Sequence, residues 1–217
     1  MEACMSFSFY IVNAEYCDYL RKSDLCVPYT MDRKATRPFV GIVFSVNGFH
    51  YYAPLTSPKP KHLRMKNQID FLKINGGKWG AINFNNMIPV HPSCLKKVEM
   101  RILETDSKQD VAYKNLLSNQ LSWCNSHREI ILKQAQKLYQ TIVGGKAWGN
   151  LADRCCNFAL DERQYELYCA ERFPSDSDRP NNAEKTSIRT ALARLQQDAA
   201  DKTLHTRTEK SRNDDER

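Results

Sequence analysis

Two hydroxyls and two ammonium groups sit close together in Leu55-Thr56-Ser57-Pro58-Lys59-Pro60-Lys61, a segment stiffened by prolines. Such a group, held in place at the end of a strand, can bind a phosphate and stabilise charge developing on it. His62, Arg64 and Lys66 extend the positive charge. The same composition also suits a solvated basic loop in which Thr56 and Ser57 bond only the local backbone, and the segment alone does not choose. Upstream, the polar connection from Ser23 to Pro38 carries Arg33, Lys34 and Arg37, cations that can be brought to the same place as Lys59. A metal site is a separate question. His91-Pro-Ser-Cys94 and Cys124-Asn-Ser-His127 offer four ligand types that zinc accepts. The second pair falls inside a helical pattern and neither has a glycine-rich knuckle, so no metal and no cofactor is expected.

The basic segment must be positioned by the stretch before it. Asn47-Gly48 lies between two apolar, aromatic-rich runs, a strong signal for a two-residue hairpin with both turn residues at positive φ. Ile42, Phe44 and Val46 alternate with Val43 and Ser45, and Phe49, Tyr51 and Tyr52 answer them, which suits a half-buried antiparallel pair. Proline cannot donate to a ladder, so the second arm is expected to stop at Ala53-Pro54. Further strands are expected at 7–12, 71–74, 79–84 and, as a proline-terminated edge, 87–90. Asn13 is a good N-cap for a helix over 14–22. Short strands with tight turns indicate an α+β fold around a compact antiparallel sheet that curls into a partial barrel.

From Val111 the period changes to helical. Tyr113, Leu116, Leu117, Leu121 and Trp123 form one apolar set, and Ile130, Ile131, Ala135, Leu138 and Ile142 a second, ending at Gly144-Gly145. Asn125 and Ser126 mark a candidate joint between two helices. A loop over 146–154 leads to a last helix over 158–173. Beyond Phe173 no aromatic residue occurs, and 174–217 has the composition of a disordered polar tail. Ile188, Leu192 and Leu195 keep enough helical spacing there for a transient helix. The chain is thus expected to divide into a folded domain, 1–173, and a tail, 174–217.

The net charge of +7 lies entirely in the folded part. Residues 1–173 hold 23 basic and 16 acidic groups, whereas the tail holds nine of each. A basic body suggests a polyanionic partner, nucleic acid before membrane, because no basic amphipathic surface helix stands out. No stretch approaches the roughly 20 apolar residues of a membrane span. With an acid at position 2 and no basic segment at the start, no secretory signal is expected, and eight cysteines without a repeating framework fit reduced thiols in a cytoplasm.

Several runs carry a family resemblance: Gly41-Ile-Val43; Tyr52-Ala-Pro-Leu-Thr-Ser-Pro-Lys59; Gly80-Ala-Ile-Asn-Phe-Asn-Asn-Met-Ile-Pro89; Tyr113-Lys-Asn-Leu-Leu117 through Trp123-Cys-Asn125; and Cys156-Asn-Phe-Ala-Leu160. Over about residues 7–172 the chain resembles the type III toxin–antitoxin endoribonucleases, the ToxN/AbiQ family, with the AbiQ branch the nearer. The resemblance implies a metal-free RNase with a β-barrel core related to the MazF/Kid toxins and decorated by helices. It further implies RNA cleavage, often at A-rich sites, leaving a 2′,3′-cyclic phosphate and a 5′-hydroxyl. A small repeat RNA, typically a pseudoknot, would be processed by the toxin and silence it in a closed toxin–RNA assembly, in the service of phage defence by abortive infection.

RNA supplies its own nucleophile, so the protein needs only alignment and charge stabilisation. On this reading Lys59 neutralises the phosphorane oxygens, and Thr56 and Ser57 hold the scissile phosphate. Arg37, at the family's basic position, clamps a phosphate with its planar fork. Some relatives carry a tyrosine where Arg33 stands; either Tyr29 substitutes or that role is absent, and His62 is a general-base candidate. Arg33, Lys34, Lys61, His62, Arg64 and Lys66, with Lys133 and Lys137 on the helix 128–146, are the expected RNA-binding residues. The alternative is a non-catalytic RNA-binding module using the same basic surface.

Overall fold

A computed structural model describes residues 6–29 and 37–173. Arg33, Lys34 and the tail 174–217 lie outside the described residues. The chain divides into two units, Met1–Cys169 and Ala170–Arg217, and the sheet and the cavities lie in the first.

Seven strands make one antiparallel sheet: β1 (Phe9–Val12), β2 (Phe39–Val46), β3 (Phe49–Thr56), β4 (Phe71–Lys73), β5 (Ala81–Asn83), β6 (Ile88–Pro89) and β7 (Leu95–Lys97). The order is β4-β5-β3-β2-β1-β7, with β6 also on β3. The end strands β4 and β7 do not pair, so the expected curl stops short of a closed barrel. The hairpin forms at Asn47 (φ 49°) and Gly48 (φ 85°), with Val46 opposite Phe49. Further down, the register shifts between Val40 and Phe44, so three residues of β2, Gly41 to Val43, face Tyr52 alone. A bulge of this kind bends and twists its strand. Gly41 is needed there because the Tyr10 ring lies where its side chain would be, 2.4 Å from a Cβ.

Contrary to the sequence expectation, β3 does not stop at Pro54 but runs on to Thr56. The reason lies in its two edges. Toward β2, Leu55 donates its N–H to the Pro38 carbonyl at 2.8 Å. The opposite edge is shared by two short strands, β6 pairing with Tyr51 and Tyr52 and β5 with Leu55 and Thr56. Ala53 and Pro54 fall in the gap between them, where no ladder bond is required. β3 is also buried almost throughout rather than half-buried, since it is the central strand.

The helices are α1 (Ala14–Arg21), α2 (Pro60–Arg64), α3 (Lys108–Ser126), α4 (Arg128–Val143), α5 (Leu151–Arg154) and α6 (Phe158–Arg172). Asn13 caps α1, accepting from the Glu15 N–H at 2.8 Å. A Ser107/Asp110 capping box starts α3. The joint between α3 and α4 is His127, stacked on Trp123. Tyr51 of β3 and Tyr139 of α4 both donate to Glu162 of α6 at 2.8 Å. With Phe44 and Phe158, these tyrosines form an aromatic cluster that ties α4 and α6 to the sheet. Among the described residues no helix is long and apolar enough to cross a membrane.

Candidate active site

The basic segment leaves the sheet at the end of β3 and turns at once into α2, with Pro60 at its first position. Two glycines fix its path. Gly80 (φ +95°) lies so close beneath it that a Cβ would stand 2.0 Å from the Thr56 carbonyl and 3.2 Å from the Pro58 nitrogen. Gly77 (φ +95°) lies under α2 in the same way, 2.7 Å from the His62 carbonyl. A side chain at either position would push the segment off the sheet. The β2/β3 register, Phe39 opposite Pro54, continues one step through the Leu55–Pro38 bond and brings Arg37 opposite Thr56.

Arg37, Thr56 and Lys59 line two adjoining cavities of about 270 and 400 Å³. The smaller also takes in Ser57 and is walled by Tyr113, Leu116, Leu117 and Gln120 of α3. Gln120 is buried and donates to the Trp79 carbonyl at 2.5 Å, fixing α3 against the β4–β5 turn. The larger includes Lys61 and His62 and is walled by Gln68, Asp70, Asn83, Asn85 and Arg154. Thr56 is half-buried, whereas Ser57, Lys59 and Lys61 are exposed at the mouth.

The electrostatics are lopsided. Asp70 is held by Arg154 through two bonds of 2.7 and 3.2 Å, so its charge is already matched. No carboxylate among the described residues lies within ion-pair distance of Arg37, Lys59 or Lys61. Arg37 is partly buried, and desolvation pulls its pKa down from the usual guanidinium range. A partly buried guanidinium opposite a hydroxyl, with no carboxylate partner among the described residues, can bind an anion.

His62 is buried, edge-on to Phe71, rather than presented to solvent. Its Nδ1 has no hydrogen-bond partner. Burial, then Lys61 and Lys59, lower its pKa below the ordinary 6.5, which keeps the imidazole neutral at pH 7. Arg64 and Lys66 are exposed just beyond. Lys133 and Lys137 are exposed on α4 around a third cavity, with Ile130 and Gln134, and Gln68 lines both this cavity and the larger lobe of the site. Gln134 donates to the Gln68 carbonyl at 2.7 Å, closing that seam. Tyr29 is exposed, lies under Arg21 and lines none of these cavities.

The His91/Cys94 and Cys124/His127 pairs do not form a ligand set. Among the described residues the group with metal-ligand spacing is Asp24, Cys156 and Asp161, all buried, with ligand atoms within 4.8 Å of one another, and none of the three lines either lobe. The α3 and β5 walls were not foreseen as parts of a site. Tyr113 fitted a core stripe by spacing yet is partly exposed at the cavity. Gln68, Asn83 and Arg154 carry no local signal at all, since only the tertiary fold gathers them.

A family model for the toxin ToxN of type III toxin–antitoxin systems matches residues 8–166. The chain is 32% identical over 171 residues to endoribonuclease ToxN of Pectobacterium atrosepticum, covering 75% of this chain and 94% of the relative. It is 28% identical over 175 residues to endoribonuclease AbiQ of Lactococcus lactis subsp. lactis, covering 76% and 90%. A solved structure of AbiQ, a lactococcal anti-phage endoribonuclease of a type III system, matches with a TM-score of 0.63 at 27% identity, over 76% of this chain and 98% of that one. Another, from a type III system whose toxin is selectively inhibited by a non-coding RNA pseudoknot, matches with a TM-score of 0.61 at 27% identity, over 76% and 98%. These identities do not single out the AbiQ branch.

Proposed function

Because the chain belongs to the ToxN family of type III toxin–antitoxin toxins, we propose that it is an endoribonuclease that cuts RNA without a metal ion, by attack of the RNA's own 2′-hydroxyl. The observation that carries this reading is the trio of Arg37, Lys59 and Lys61 around Thr56 and Ser57, which has no carboxylate partner among the described residues and leaves the place of a counter-charge to a phosphate. The 2′-oxygen forms a bond to phosphorus and the P–O5′ bond breaks, leaving a 2′,3′-cyclic phosphate. The 2′-hydroxyl proton passes to a base, and the departing 5′-oxygen gains a proton. Lys59 stabilises the phosphorane oxygens, Arg37 clamps the phosphate, and Thr56 and Ser57 donate to its oxygens. His62, neutral and lining the larger lobe, is the candidate base. Metal independence is supported by the donor set: among the described residues the one carboxylate lining either lobe, Asp70, is spoken for by Arg154.

The partner inferred is a folded repeat RNA of pseudoknot type, which inhibits the toxin in a closed toxin–RNA assembly in the bacterial cytoplasm. Release of the toxin from that RNA would stop an infected cell. Lys133 and Lys137, set beyond Gln68 from the cutting point, supply the surface that holds it. The test is incubation of the purified protein with RNA in EDTA, followed by end-group analysis. Cyclic phosphate ends support the reading. Ends with 3′-hydroxyls, full inhibition by EDTA, or binding without cutting would overturn it, the last in favour of an RNA-binding module.

A further inference from the structure

We propose that Tyr113 of α3 is the general acid of the cleavage, giving its phenolic proton to the departing 5′-oxygen. The inference rests on the reading of Arg37, Thr56 and Lys59 as the phosphate centre and of His62 as the base. Those three phosphate-centre residues line both cavities, and the other described residues of the two walls differ. A phosphate held on the shared wall therefore has one lobe to each side. In phosphoryl transfer the attacking and leaving oxygens lie roughly in line through phosphorus. An acid for the leaving oxygen thus belongs in the lobe across from the base. His62 lines the larger lobe. Among the described residues, the titratable groups of the smaller lobe are Arg37, Lys59 and Tyr113. Arg37 and Lys59 are engaged on the phosphate, which leaves Tyr113.

The helix fixes where that phenol stands. Tyr113, Leu117 and Gln120 recur at helical spacing and share one face of α3. Leu117 is buried, and Gln120 is anchored on the Trp79 carbonyl at 2.5 Å. The same face holds the Tyr113 ring at the cavity, partly exposed to whatever enters it. Burial raises the phenol's pKa, so its proton is in place at pH 7. As the P–O5′ bond breaks, its electron pair goes to the 5′-oxygen, which takes the proton from the Tyr113 hydroxyl. Water then reprotonates the phenolate, and His62 returns the proton it took from the 2′-hydroxyl to water.

The full chain and its Tyr113→Phe variant are to be compared on two RNAs. One is ordinary; the other carries sulfur in place of the bridging 5′-oxygen at the bond the parent cuts. A thiolate leaves without needing a proton. Tyr113→Phe keeps the ring and should cut ordinary RNA about 10²-fold or more slowly, yet cut the sulfur substrate within a few-fold of the parent. His62→Gln, lacking the base, should stay slow on both. Parental cutting of ordinary RNA by Tyr113→Phe would show that only the ring matters. Slow cutting of both substrates by that variant would make the hydroxyl a positioning group. Rescue of His62→Gln by sulfur instead would make His62 the acid. Any of these three results overturns the inference while RNA cutting at this centre stands. If the parent cuts no RNA, the phosphate centre itself is misassigned and both readings fall.

Discussion

Gly80 packs directly beneath Thr56: a single carbon added there would stand 2.0 Å from the Thr56 carbonyl oxygen. The Thr56 hydroxyl, proposed to meet the phosphate, is therefore placed from below by the absence of a side chain. Gly80→Ala is expected to reduce cleavage at least 100-fold. Gly48→Ala is the control, because it also has positive φ (+85°) but meets nothing within 4 Å. That variant should lose about 1–2 kcal/mol of stability from backbone strain and keep its activity. Equal effects of the two on cleavage would remove the packing argument.

Lys59→Ala should cost more than Ser57→Ala, since a charge-assisted contact is roughly twice as strong as a neutral one. Loss of Lys59 is expected to lower the rate by about 10²–10³. Both residues are exposed beyond the ladder, so thermal unfolding should be unchanged in each. Rates equal to the parent's in both variants would place the chemistry elsewhere.

A pH–rate profile tests His62. Only the neutral ring accepts a proton, and burial holds its pKa below 6.5. The rate should therefore persist at pH 6.5 and fall only at a more acid pH. His62→Gln should remove that acid limb. Stability follows the same group: below pH 6.5 the unfolded chain binds the proton more readily, so stability falls as pH drops through the ordinary value. A limb that survives in the glutamine variant belongs to another residue.

Asp161 acts with the opposite sign. Burial first, then the charge of Asp24, push its carboxyl up to about 8 from 3.8, and neither oxygen has a nitrogen or oxygen partner. The folded state keeps the proton that the unfolded state gives up. Stability should therefore decline as pH rises between about 4 and 8. Asp161→Asn should flatten that decline, as read by melting temperature at pH 5 and pH 8. A parent-like slope in the variant would exclude Asp161 as its source.

The lysine face is tested by Lys133→Ala with Lys137→Ala. Inhibition by a structured RNA should weaken and its salt dependence become shallower, while cutting of an unstructured strand is spared. Full inhibition with lost activity would detach α4 from RNA holding.

What could be read from the sequence was local. Asn47-Gly48 marked its hairpin because the turn chemistry lies in two adjacent residues. Thr56 to Lys59 stood out by composition. Pro54 misled because whether a proline ends a strand depends on its neighbour at that edge, and here β5 and β6 leave a gap. His62 read as a surface cation because nothing in its own segment reveals that Phe71 and Gly77 close over it. The amide wall was invisible for the same reason, since 68–70, 83–85 and 154 meet only after folding.

The hairpin tip has a practical consequence. Asn47 and Gly48 are exposed, and seven residues of β3, Phe49 to Leu55, roughly 25 Å of strand, separate them from Thr56. The bulge at Gly41–Val43 lies between the tip and Arg37, so a disturbance of the turn is absorbed before it reaches the site. The tip is thus a natural handle for grafting, where a peptide tag or fluorophore loop can be inserted to follow the protein in a living cell. Cutting at the parental rate by such a graft is the outcome expected.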